Sequence, residues 1–69
     1  MNQKQAVILL ADGFEETEAI ATADVLKRLG IAVSLAGVNT EYVTSTADVT
    51  IKTNTLLADV DWNTKDAIV

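Results

Sequence analysis

Cysteine, proline and histidine are all missing from this chain of 69 residues. Without cysteine there can be no disulfide scaffold, although that absence says little about compartment. Without proline there is no sign of a hinge or linker, which fits one compact piece. Basic residues are scarce. Lys4, Lys27, Arg28, Lys52 and Lys65 are scattered against 10 acids, for a net charge of −5. Binding to phosphate backbones needs a basic face, so the composition argues against nucleic acid as a partner. No apolar run approaches the ~20 residues of a membrane span. The start, Met-Asn-Gln-Lys-Gln, lacks the apolar core and cleavage site of a signal peptide. The default expectation is therefore a cytoplasmic protein with no membrane partner. Apolar residues make up 49%, normal for a globular chain. The length allows one small domain at most, marginal by itself.

Ala6 to Ala11 is short, continuously apolar and bounded by Asp12-Gly13. It reads as a strand buried on both faces, the kind found in parallel sheets. Glu15 to Leu29 reads as a helix. Ala19, Ala23 and Leu26 recur at helical spacing with Ile20 beside them, and Val25 and Leu29 widen the stripe. Asp24 and Arg28 suit an exposed ion pair, Lys27 and Arg28 match the helix dipole, and Gly30 is a natural C′ residue. Ile31 to Gly37 reads as the second buried strand, which completes a right-handed βαβ unit. Tyr42 to Thr44 and Asp48 to Lys52 alternate and are rich in β-branched residues, and read as a short antiparallel excursion. Asn54 to Asp61 has room for one helical turn around Leu56-Leu57-Ala58. Asp66 to Val69 opens another buried strand. With a single helix to cover the sheet, one apolar face is expected to stay open, and the 69 residues alone are expected to be neither stable nor active.

The richest chemistry lies in Ala11-Asp12-Gly13-Phe14-Glu15-Glu16-Thr17-Glu18. Three glutamates fall in the first turn or so of a helix, just past the carboxyl end of a strand, where ligands of open α/β sheets usually bind. Carboxylates there also oppose the partial positive charge of the helix terminus. Asp12 stands alone on its loop and reads as a turn residue before Gly13, not as part of a converging set of acids. The cluster lacks the alternating oxygen ligands of a calcium loop, and a lone Gly13 is no dinucleotide fingerprint. No metal and no organic cofactor is expected. Phe14 and Trp62 read as packing anchors, and Trp62 is given no role.

Val7-Ile8-Leu9-Leu10-Ala11-Asp12-Gly13-Phe14-Glu15-Glu16-Thr17-Glu18-Ala19, followed by Asp24-Val25-Leu26-Lys27-Arg28-Leu29-Gly30-Ile31, resembles the amino-terminal half of the ThiJ/PfpI family. The resemblance continues through Val33-Ser34-Leu35-Ala36-Gly37 and ends at Asp66-Ala67-Ile68-Val69, with a looser match from Asn39 to Lys65. It implies a flavodoxin-like three-layer α/β sandwich with a mainly parallel sheet, of which this chain is the front half. In that family the last glutamate of the cluster sits beside a nucleophilic cysteine, and by position it is Glu18. The turn carrying Glu15 lies at the mouth of the site and near the dimer interface. Glu18 and Glu15 are therefore the candidate catalytic residues. The implied activity is cysteine-dependent chemistry on a small reactive carbonyl, of glyoxalase or deglycase type, in a homodimer. The chain departs from the family in having no cysteine. The family's next segment, a Leu-Pro-Gly-Gly-type turn and a cysteine on a sharp bend, would follow Val69. The expected partner is thus the remaining part of the same domain. Two other readings stand beside this one. One is a redox-sensing or chaperone-like stress protein whose cysteine is oxidised. The other is a free-standing interaction module with an acidic helix face.

Helix geometry supplies two further expectations. At about 100° per residue, Glu18 lies nearly opposite Glu16 and beside Ala19. Glu18 is therefore expected to be buried and Glu16 exposed. The mixed face carrying Thr17, Ile20 and Asp24 is expected to serve in dimerisation.

Overall fold

The computed structural model describes residues 3–69. Strand β1 (Gln5–Leu10) leads into helix α1 (Glu16–Arg28) and strand β2 (Ala32–Gly37), forming the expected βαβ unit. Strands β3 (Tyr42–Thr44) and β4 (Thr50–Lys52) form an antiparallel hairpin, with Val43 opposite Ile51. The short strands β5 (Thr55–Leu56) and β6 (Ala67–Ile68) are separated by two 3-10 turns, Leu57–Asp59 and Trp62–Thr64. The four parallel strands lie in the order β5-β2-β1-β6.

The central strand reads as expected. Ala6, Val7, Ile8 and Leu10 are buried, so side chains on both faces of β1 are removed from water. Ile8 and Leu10 join Ala19 of α1 and Val43 of the hairpin in one core, with Phe14, Ala23, Val33, Leu35 and Ile51 packed around it. Helix and hairpin therefore cover the same face. Right-handed crossovers explain why. The chain steps from β1 to β2 to β5 in one direction along the sheet, so both connections fall on one side. The step from β5 to β6 runs the other way, and the same rule puts residues 57–66 on the opposite side. Val7, which alternates with Ile8, is fully buried. The second face is therefore not left wholly open, contrary to the expectation from a helix count alone.

Helix α1 faces the sheet through a narrower stripe than its apolar residues suggested. Ala19 is buried, while Glu16, Thr22, Ala23 and Leu26 are half-buried. Ile20, Val25 and Leu29 are instead 46%, 54% and 71% exposed. A helix face is set by the spacings i, i+3, i+4 and i+7, and Ile20 and Val25 fall outside the row that Ala19, Ala23 and Leu26 define. The carboxyl end closes as expected. Gly30 N–H donates to Lys27 O and Ile31 N–H to Leu26 O, both at 3.0 Å, the paired bonds of a Schellman cap. Arg28 Nε meets Asp24 Oδ1 at 3.0 Å, with both side chains well exposed.

The loop after β2 turns tightly. A Cβ on Gly37 would fall 1.8 Å from the Thr40 carbonyl oxygen, so only glycine fits there. The expected helical turn around Leu56-Leu57-Ala58 is a 3-10 turn at Leu57–Asp59, and Thr55–Leu56 is a strand. Asn54 makes that strand possible. Its Oδ1 accepts from Leu35 N–H at 2.7 Å and its own N–H donates to Leu35 O at 2.9 Å, which ties the chain to the edge of β2. At the other edge, Asp66 Oδ2 accepts from Gln5 N–H at 2.8 Å, and Asp66 N–H donates to Gln5 O at 2.7 Å.

Candidate functional site

The chain leaves β1 in one direction toward β2, whereas β6 joins on β1's other side. Such a reversal of strand order opens a crevice at the carboxyl ends of the strands. A cavity of about 240 Å³ lies there. Leu10 and Val69 form part of its lining, together with Glu15 at the start of α1 and Glu18 and Thr22 within it.

The acids reach this place through a tight turn. Phe14 N–H donates to Ala11 O at 3.1 Å, and Gly13 has φ +88°, the sign that the third position of such a turn requires. Glu15 is extended (φ −89°, ψ 106°) and caps α1, its Oε1 accepting from Thr17 N–H at 3.2 Å. Its position as cap fixes the start of the helix and carries Glu18 to the same wall. Glu15 and Glu18 are three residues apart, so they share a face.

The expected burial pattern of the glutamates is reversed. Glu18 is exposed at the cavity rim, whereas Glu16 is half-buried, and its Oε2 is buried without a hydrogen-bond partner among the described residues. Glu16 stands one turn before Ala19 and continues the row that meets the sheet. Glu18, adjacent to Ala19 in sequence, is turned about 100° away from it. Adjacency to a buried residue was the wrong guide. Asp12 does not join the cavity wall. Its Oδ1 accepts from Thr44 N–H at 3.1 Å, a structural use in keeping with a turn residue. Trp62 begins a 3-10 turn and is 43% exposed, away from the cavity lining. Among the described residues, no group of three His, Cys, Asp or Glu side chains is arranged to hold a metal ion, and no helix is long and apolar enough to cross a membrane.

Residues 4–69 match the profile of the DJ-1/PfpI family. The chain belongs to this family. It is 46% identical over 67 residues to protein dj-1beta of Drosophila melanogaster, covering 96% of this chain and 36% of the fly protein. It is also 49% identical over 37 residues to the Parkinson disease protein 7 homolog of Danio rerio, covering 54% of this chain and 20% of that protein. The crystal structure of the Drosophila DJ-1beta superposes with a TM-score of 0.90 at 44% identity, over 97% of this chain and 37% of the other. Toxoplasma gondii DJ-1, in an oxidised form, superposes with a TM-score of 0.88 at 33% identity, over 96% and 36%. The architecture is thus the flavodoxin-like α/β fold of the DJ-1/PfpI family, and the chain spans about a third of the length of these relatives. Within this family fold, Leu10, Thr22 and Val69 line the cavity beside the two glutamates. The sequence does not mark them as site residues, because nothing in their local pattern separates a cavity wall from a core.

Proposed function

We propose that this chain supplies the acidic wall of a cysteine-dependent DJ-1/PfpI site that acts on small reactive carbonyls, as a glyoxalase or deglycase. The observation that carries the reading is the pairing of Glu15 and Glu18 on one cavity where the strand order reverses. The nucleophile is proposed to come from the part of the domain that this chain does not contain. In the proposed chemistry a thiolate adds to the aldehyde carbon. A C–S bond forms, the carbonyl π pair moves to oxygen, and that oxygen takes a proton, giving a hemithioacetal. Glu18 then moves a proton from the former aldehyde carbon to the neighbouring ketone carbon by way of an enediol, which leaves a thioester. Water adds to its carbonyl, the C–S bond breaks, and lactate and the thiol are released, while Glu15 borders the mouth through which substrate enters. Methylglyoxal and water together have the composition of lactic acid, so the overall conversion needs no external oxidant. The exposed Glu18 is compatible with this role, since a group that meets a soluble aldehyde has to be reached from solvent.

The test uses the complete protein that contains this chain. Glu18→Gln is expected to keep the fold and lower methylglyoxal turnover at least about tenfold, about 1.4 kcal/mol of barrier. Glu16→Gln should leave turnover within about twofold, a barrier change well under 1 kcal/mol. Equal, small effects from the two would remove Glu18 from the site. Absence of turnover in the unsubstituted protein would favour the redox-sensing reading, to which the oxidised state of the Toxoplasma relative lends support.

The complete protein is proposed to be a cytoplasmic homodimer that pairs through the outer face of α1. Thr17, Ile20 and Asp24 are exposed on that face, with Ile20 46% accessible. Sedimentation as a monomer at micromolar concentration would count against it.

A further inference from the structure

The turn that delivers the acids does not stand on local bonds alone. Three hydrogen bonds tie residues 12–14 to the β3–β4 hairpin. Thr44 N–H donates to Asp12 Oδ1 at 3.1 Å, Gly13 N–H donates to Thr44 O at 2.8 Å, and Thr46 N–H donates to Phe14 O at 2.9 Å. Phe14 and Ser45 also pair as an isolated parallel bridge. The hairpin itself is anchored. Val43 is 2% exposed in the core with Ile8, Leu10 and Ala19, and Ile51 packs against the same cluster. Its tip is closed by the buried Ser45, whose Oγ accepts from Ala47 N–H at 3.3 Å and Val49 N–H at 3.1 Å. Of the three bonds to the loop, only the one at Asp12 uses a side chain. The other two run between backbone groups and are available to any sequence.

We propose that Asp12 is a positioning residue for the Glu15–Glu18 site: by accepting the Thr44 amide it docks the turn on the hairpin and sets where α1 begins. This rests on the reading that the two carboxylates work together. The physical reason is reach. Glu15 caps the helix only two residues beyond Gly13, so a turn that slides on the hairpin moves the cap, and with it the first turn that carries Glu18. The Asp12 oxygen adds a third point of attachment, worth about 1 kcal/mol as a hydrogen bond, and so holds in place a turn that two backbone bonds would leave free to pivot. Displacements of about 1 Å in a catalytic group can cost on the order of a hundredfold in rate.

The experiment compares Asp12→Ala, Asp12→Asn and Asp12→Glu in the complete protein, with two readouts. The first is the side-chain carboxyl 13C resonances of Glu15 and Glu18. The second is kcat and KM for methylglyoxal. Asp12→Ala is expected to move both carboxyl resonances and lower kcat about tenfold at nearly unchanged KM, with the melting temperature showing the protein still folded. Asp12→Asn keeps an oxygen acceptor at the same reach and should restore both resonances and kcat. Asp12→Glu keeps the charge but displaces the acceptor by one methylene, and should behave like Asp12→Ala. It replaces the alanine variant if that one does not fold. Unmoved Glu15 and Glu18 resonances in the alanine or glutamate variant overturn the proposal, and so does an asparagine variant as impaired as alanine. If the unsubstituted protein turns over no carbonyl, the functional reading falls while the resonances still decide the positioning role.

Discussion

At its carboxyl end, helix α1 is closed by its immediate neighbours: Gly30 and Ile31 donate back to Lys27 and Leu26, and Arg28 pairs with Asp24 one turn earlier. At its amino end the turn it starts from is bonded to Thr44, 32 positions from Asp12 in sequence, and to Thr46. One end is capped by local backbone bonds, with an exposed Gln3 Nε2 donating to Gly30 O at 2.8 Å as its one distant side-chain bond among the described residues, and carries no site residue. The other is held by a distant hairpin and carries both candidate catalytic carboxylates. A helix terminus that has to be placed relative to a cavity needs a reference outside its own sequence, and the hairpin is that reference. The difference predicts that damage to the hairpin reaches the site, whereas damage to the local cap costs stability alone.

The largest effect should come from separating the chain from whatever completes its sheet. Ile68 and Val69 are 60% and 56% exposed on the edge strand, and Val25 and Leu29 are exposed on the helix. Apolar surface of this kind usually marks a contact. Residues 1–69 alone should therefore give no cooperative thermal transition as a monomer, and a sharp calorimetric peak from a monomer would refute this. Next comes Val43→Ala in the complete protein. Removing two methyl groups from the hairpin's buried anchor should cost about 2 kcal/mol, read as a lower urea midpoint. Amide exchange at Gly13 and Thr46 should accelerate, and protection there equal to that of the parent would break the link between hairpin and turn.

At the opposite end of α1, Gly30→Ala meets a φ of +85°, which an L side chain adopts at a cost of about 1 kcal/mol. The melting temperature should fall while methylglyoxal turnover stays at the parent value. A loss of turnover as large as that of Glu18→Gln would show that the two ends are not independent. The smallest effect belongs to Arg28→Ala. Its exposed pair with Asp24 is worth roughly 0.3–0.5 kcal/mol, and chemical denaturation in high salt should remove even that difference.

Much of the βαβ unit was legible because its signals are local. The apolar run at Ala6–Leu10, the period of Ala19, Ala23 and Leu26, and the Lys27-Arg28-Leu29-Gly30 ending each specify an element from residues within a few positions. The hairpin was also legible, since alternation and β-branching mark Tyr42–Thr44 and Thr50–Lys52. Strand β5 was not. Thr55–Leu56 has only two residues, and it is a strand because Asn54 bonds to Leu35 from outside its own segment. The reversed burial of Glu16 and Glu18 was missed for a related reason. Three glutamates within four positions at a helix start look alike until the angle of the helix to its sheet is known, and the contact of Ala19 with Ile8, Leu10 and Val43 fixes that angle.

By itself, then, the sequence determined the two long strands, the helix between them, the carboxyl cap of that helix and the presence of acids just past a strand. Periodicity and capping act over a turn or two and need no distant partner. Only the tertiary structure decided that Glu15 and Glu18 share a cavity with Leu10 and Val69, that Glu16 turns toward the sheet, and that Asp12 is spent on Thr44. Those outcomes depend on which strand lies beside β1 and where the hairpin docks, and contacts between residues so far apart in the chain are settled by packing and crossover handedness, not by local preference.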